Sequence, residues 1–125
     1  MNFGAWRILH RSGTAVVGLL SIAHIGLTPM IYDGWTPEAV WFVGTGVGLL
    51  LLAVVNWAHV GLEPCRQPTA PAVRYANVVY LVFGVAAVIA VPEFQAYVLF
   101  AGLFIQAMAG QVTLRRPQHV SAGEG

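Results

Sequence analysis

The sequence predicts an all-α integral membrane protein, a four-helix up-down antiparallel bundle. Three observations lead there. The first is composition: 58% of the 125 residues are hydrophobic and only 9% are charged, with a mean hydropathy of +0.72. Soluble domains carry about a quarter charged residues, so the apolar surface of this chain must face lipid. The second is the spacing of charge. Uncharged windows of 21, 24, 18 and 21 residues separate Arg11 from Asp33, Glu38 from Glu63, Arg74 from Glu93 and Glu93 from Arg115. As helices these windows reach about 27–36 Å, against a hydrocarbon core of about 30 Å. The third is the brevity of the connections, which makes sequential helices antiparallel neighbours.

The first helix is expected over 7–28. Arg7, Arg11 and the small residues Ser21-Ile22-Ala23 resemble a signal peptide, but the apolar stretch runs on to Ile31, past the would-be cut, so the span is read as retained. The second helix is expected over 38–61, with Pro37 in its first turn and Glu38 favoured by the dipole there. The third, over 73–91, is the shortest, and a near-hairpin at Pro92 leads to the fourth over 94–114. Residues 1–116 thus form one transmembrane domain, and 117–125 a flexible polar tail.

Orientation follows from arginine. Arg7, Arg11, Arg66, Arg74, Arg115 and Arg116 all fall on one side of a four-span chain, while Asp33, Glu38 and Glu93 fall on the other. Both termini are therefore expected on the cytoplasmic side. Tyr32, Trp35, Trp41, Phe94 and Tyr97 mark the outer interface, and Trp6, Trp57 and Tyr75 the inner one.

Each helix carries one small or polar face. His10, Thr14, Ser21, His24 and Thr28 share a face of the first helix. Thr45, Gly48, Leu52, Asn56 and His59 form a stripe on the second, with Gly44 alongside. Asn77, Tyr80, Gly84 and Ala87 do so on the third, and Gln95, Gly102, Gln106, Gly110 and Thr113 on the fourth. The stripes are expected to converge, with Ser21, His24, Asn56, His59, Asn77, Gln95 and Gln106 as a polar bundle axis. Gly44, Gly48, Gly84, Gly102 and Gly110 are the expected points of close helix packing. By depth, Ser21 and Gln106 lie mid-span, His24 lies toward Glu93 and Gln95, and His10, Asn56, His59 and Asn77 gather toward the cytoplasmic half. Buried amides here serve first as interhelical bonds, each contributing about 0.6–2 kcal/mol.

Ala23-His24-Ile25-Gly26-Leu27-Thr28-Pro29 echoes Ala58-His59-Val60-Gly61-Leu62-Glu63-Pro64. The two copies end near opposite faces, so they read as helix-stop cassettes, with glycine as a left-handed cap and proline blocking continuation, rather than as one ligand site. His24 is the deepest group able to titrate near neutral pH, and either accepts a proton or bonds a carbonyl or Gln95. His10 and His24 are spaced like paired haem ligands, but only His59 could face them, so the ligand count argues against haem at His10/His59.

The chemistry of the chain excludes more than it assigns. A net charge of +1 offers no footprint for nucleic acid, and the lone Cys65 excludes an internal disulfide, a cysteine-rich metal site and a two-thiol redox mechanism. No Ser-His-Asp set, glycine-rich phosphate loop or intramembrane carboxylate pair is present, so no catalytic residue, metal or cofactor is assigned.

The run Leu27-Thr28-Pro29-Met30-Ile31-Tyr32 with Trp35 and Ala39-Val40-Trp41-Phe42 resembles small uncharacterised four-span bacterial membrane proteins of the broad DoxX-like type. The resemblance covers the first two helices and implies a fold and no activity. Small multidrug resistance transporters share the size but are alike around a carboxylate in the first span, and vitamin K epoxide reductase-like proteins need cysteine pairs; both features are absent here. Two functions are compatible with the sequence. One is a non-catalytic accessory or structural subunit, surrounded by lipid and packed against other integral membrane subunits or its own copies. The other is a small proton-linked carrier of a lipophilic molecule, with the polar stripe as its path and His24 as its switch.

Overall fold

The computed structural model describes residues 2–61 and 69–114. Arg66, Arg115, Arg116, Cys65, the tail 117–125 and the end of the second repeat copy lie outside the described residues. The described chain is all-helical: α1 (Phe3–Ile31), α2 (Pro37–Gly61), α3 (Ala70–Ala90) and α4 (Phe94–Thr113). All four are long and apolar enough to cross a membrane.

Local chemistry sets the ends. The Asn2 side chain accepts the Ala5 N–H at 2.9 Å and starts α1 earlier than charge spacing suggests. At its other end α1 does not stop at the expected cassette. It runs through Gly26 and Pro29 to Ile31, and Gly26 keeps a negative φ. Proline removes one backbone donor without ending the helix here, and Thr28 Oγ1 bonds the His24 carbonyl at 3.0 Å beside it. The left-handed glycine is instead Gly34, φ 87°, in the turn that follows. In the second copy Gly61 is the last helical residue, again without a left-handed conformation. Thr36 Oγ1 receives the Ala39 N–H at 3.3 Å at the start of α2, and Pro71 sits in the first turn of α3, where its missing donor is harmless.

α1 is the hub of the bundle. It packs extensively on α2 and on α4, α3 packs mainly on α4, and α2 and α3 touch only lightly. At the α1–α4 seam the two backbones themselves meet. A Cβ added at Gly13 would stand 2.8 Å from Gln106 N and 2.9 Å from Gly102 O, both backbone atoms. The apolar core is Val17, Leu49, Leu52, Ala53 and Leu103, with Tyr80 and Leu81 leaning on it. A smaller cluster of Ala70, Val73 and Leu114 closes one end. Around this the surface is apolar, with side chains such as Leu19, Leu51, Val82 and Ile89 more than half exposed.

The inner face of α2 differs from the expected stripe. Gly46, Leu49, Leu52, Ala53, Asn56 and Val60 are buried, whereas Gly44 and Gly48 are not. Gly44 has nothing within 4 Å of an added Cβ, so it is no packing point, and Gly48 faces only the Tyr80 hydroxyl. On a helix apolar all round, a small residue does not mark the inner side. Gly84, Gly102 and Gly110 do pack closely: against Leu103, against Val16 and Val17, and against Asn77.

Candidate functional site

Four helices each contribute to one buried polar cluster. His10 from α1, Asn56 from α2, Asn77 from α3, and Gln106 and Thr113 from α4 are all 3% exposed or less. Asn56 and Asn77 pair amide to amide, each Nδ2 donating to the other's Oδ1 at 2.8 Å. Asn56 Nδ2 also donates to the Leu52 carbonyl at 2.9 Å, one turn back on its own helix. Because that carbonyl can only accept, the orientation of the Asn56 amide is fixed. Gln106 Nε2 donates to Asn77 Oδ1 at 3.0 Å.

His10 completes the cluster through both ring nitrogens. Nε2 lies 2.8 Å from Asn56 Oδ1, and Nδ1 lies 2.6 Å from Thr113 Oγ1. Since Asn56 Oδ1 is an acceptor, Nε2 carries the hydrogen. In a neutral ring Nδ1 is then bare, and the Thr113 hydroxyl donates to it. The same hydroxyl lies 3.0 Å from the Ala109 carbonyl, its alternative acceptor. Gly110 makes the room: a Cβ there would stand 3.0 Å from Asn77 Nδ2 and 3.6 Å from His10 Cε1.

Arginines edge the same end of the bundle. Arg7 donates to the Val60 carbonyl at 3.2 Å, and Arg74 donates twice to Gln111 Oε1 at 3.0 and 2.6 Å. Arg11 lies 5.9 Å over the Trp57 ring.

Of the seven expected axis residues, Asn56, Asn77 and Gln106 come together and the others do not. Ser21 is fully buried, but its hydroxyl turns back to the Val17 carbonyl of its own helix at 2.6 Å. His24 is half-buried and stacks on Phe42, ring centroids 3.4 Å apart and planes 20° from parallel, while Tyr32 meets Phe42 edge-on. His59 stands outside the cluster, with Nδ1 on the Val55 carbonyl and Nε2 on Thr69 Oγ1. Gln95 is exposed in the first turn of α4, where it bonds Glu93 and not His24. Its position beside the chain reversal turns it outward.

Two residues of this region carry more than their sequence pattern suggests. The pattern puts His10 in the first helix's stripe and gives it no separate role beyond haem ligation, and it does not single out Gly13. A signal exists for both, because Gly13 and Thr14 lie between His10 and Val17 on one face.

Comparison with protein-family models, with curated proteins and with solved structures finds no match. Among the described residues no group of three or more His, Cys, Asp or Glu side chains is placed to hold a metal ion. The cluster has no strong nucleophile and no carboxylate. It can bind helices to one another.

His24→Gln is expected to keep the fold and to lose about 1 kcal/mol with the Phe42 stack. Thermal unfolding of the purified protein checks both. An unfolded variant, or a loss of several kcal/mol, would mean that His24 does more than pack on Phe42.

Proposed function

We propose that the chain is a non-catalytic membrane subunit that crosses a bacterial cytoplasmic membrane four times, up and down, with both termini in the cytoplasm. It acts through its outer faces, packed against other integral membrane proteins or further copies of itself, and it carries no cofactor. The plan agrees with the DoxX-like resemblance.

One observation carries this reading: five polar side chains of the interior bond one another across the helices. His10, Asn56, Asn77, Gln106 and Thr113 bond helix to helix, and α1 and α4 meet backbone to backbone at Gly13. A carrier path bordered by Ser21, His24 and Gln106 finds less support, because each of the three holds a different partner. Haem at His10/His59 is disfavoured in the same way, since all four ring nitrogens are engaged.

Membrane placement is supported by four long apolar helices and by an apolar outer surface. Exposed aromatics flank the helices: Trp35, Trp41 and Phe94 on one side, Tyr75 and Trp57 on the other. The described arginines gather with the second group, as the positive-inside rule asks of the cytoplasmic side.

Photo-crosslinking from Leu19, Leu51, Val82 and Phe104 in intact membranes tests the subunit reading, with one probe on each helix. At least one face should give a protein adduct of discrete mass, a multiple of the chain's own mass if the partner is another copy. Lipid adducts alone from all four faces would overturn it. A cysteine at position 33 or 93, in a Cys65→Ser background, should react with an impermeant reagent from outside. Reaction only from the cytoplasmic side would reverse the orientation.

A further inference from the structure

Two buried side-chain oxygens among the described residues have no hydrogen-bond partner, Thr14 Oγ1 on α1 and Gln106 Oε1 on α4. Thr14 is 2% exposed and Gln106 is fully buried. They occupy the same level of the bundle, because Gly13, the neighbour of Thr14, is the residue pressed against the Gln106 backbone. Thr14 also lies one turn from His10 on the same face of α1, so it borders the polar cluster.

The two oxygens are chemically complementary. An amide carbonyl only accepts, whereas a threonine hydroxyl donates one hydrogen and accepts others. Gln106 cannot turn to find another donor without giving up its 3.0 Å bond to Asn77 Oδ1. One turn further along the axis are Val17 and Leu103, buried at 0% and 1%, whose side chains offer no polar atom. Buried polar groups left over in this way are served in protein interiors by ordered water.

We propose that the bundle holds one buried water molecule between Thr14 Oγ1 and Gln106 Oε1. The water accepts the Thr14 hydroxyl hydrogen and donates one of its own to Gln106 Oε1. It extends the hydrogen-bonded chain from Thr113 through His10, Asn56, Asn77 and Gln106 to Thr14, and that chain ends at the apolar layer of Val17 and Leu103. The site is a fixed hydration point and not a segment of a conducting path.

Water-edited solid-state NMR of the full chain in liposomes reads this directly. Magnetisation from water should reach the Thr14 and Gln106 side chains as early as it reaches the exposed loop residue Asp33, and Val17 should lag behind. In Thr14→Val the early transfer at Gln106 should be lost, and in Thr14→Ser, which keeps the hydroxyl, it should persist. Transfer to Gln106 as late as to Val17 in the unsubstituted protein would overturn the proposal in favour of a direct Thr14–Gln106 contact. Early transfer surviving in a folded Thr14→Val protein would overturn the role given to Thr14.

Discussion

Gly13→Ala is expected to destabilise the protein by about 3 kcal/mol, more than alanine at Gly44, Gly48, Gly84 or Gly102. The added methyl carbon would meet Gln106 N at 2.8 Å and Gly102 O at 2.9 Å. Both atoms belong to the α4 backbone and cannot rotate aside, so α1 and α4 must move apart along their length. The other glycines give a graded series. At Gly102 and Gly84 the obstacles are side chains, Val16 Cγ1 at 3.0 Å and Leu103 Cδ1 at 3.1 Å, and a moderate loss is expected. At Gly48 the obstacle is the Tyr80 hydroxyl, the far end of a side chain that can swing away. Gly44 meets nothing, so alanine there is expected to gain about 0.5–1 kcal/mol from helix propensity. Unfolding of the purified variants in detergent checks the order. If Gly13→Ala and Gly44→Ala behave alike, the α1–α4 seam is not where the helices meet.

The second large effect is expected at Asn56. Asn56→Ala removes the acceptor of His10 Nε2 and both halves of the amide pair with Asn77. Each polar group left buried without a partner costs about 1–3 kcal/mol. Partial rescue by re-pairing brings the expected loss to about 2–4 kcal/mol. Ser21→Ala is the matched control. Ser21 is as fully buried as Asn56, but its hydroxyl bonds only the carbonyl one turn back, a contact that holds no second helix and adds little stability. A small change at Ser21 beside a large one at Asn56 would show that crossing between helices, and not burial of polarity, is what stabilises the bundle. Equal changes would refute that account.

What the sequence made legible was periodic and polar. On α1, four of the five stripe residues, His10, Thr14, Ser21 and Thr28, are buried, and on α4 so are Gly102, Gln106, Gly110 and Thr113. Those positions carry polar groups that an apolar surface cannot serve, or small residues that let helices approach, so their inward placement follows. The inner face of α2 was harder to read because its core positions, Leu49, Leu52 and Ala53, have the same chemistry as its outer ones. There the glycines misled: Gly44 faces outward, while Gly46, pressed against Ile25, faces in. Gln95 and the Pro29 cassette failed for local reasons. Gln95 lies in the first turn of α4, where its amide is taken by Glu93, and Pro29 costs α1 one backbone donor without stopping it before Ile31.

The partition of the cluster over four helices sets an order of events during biosynthesis. His10 on α1 is made three helices before its Nδ1 partner, Thr113, near the end of α4. Gly13 likewise waits for Gly102 and Gln106. If the proposed membrane placement holds and the spans enter the bilayer one by one, α1 carries an unmatched imidazole and an unfilled notch until α4 arrives. Its retention before then would rest on the hydrophobicity of its other faces, with cohesion following in a separate association step. On that proposal, a chain cut short before α4 would keep its insertion and forfeit its assembly.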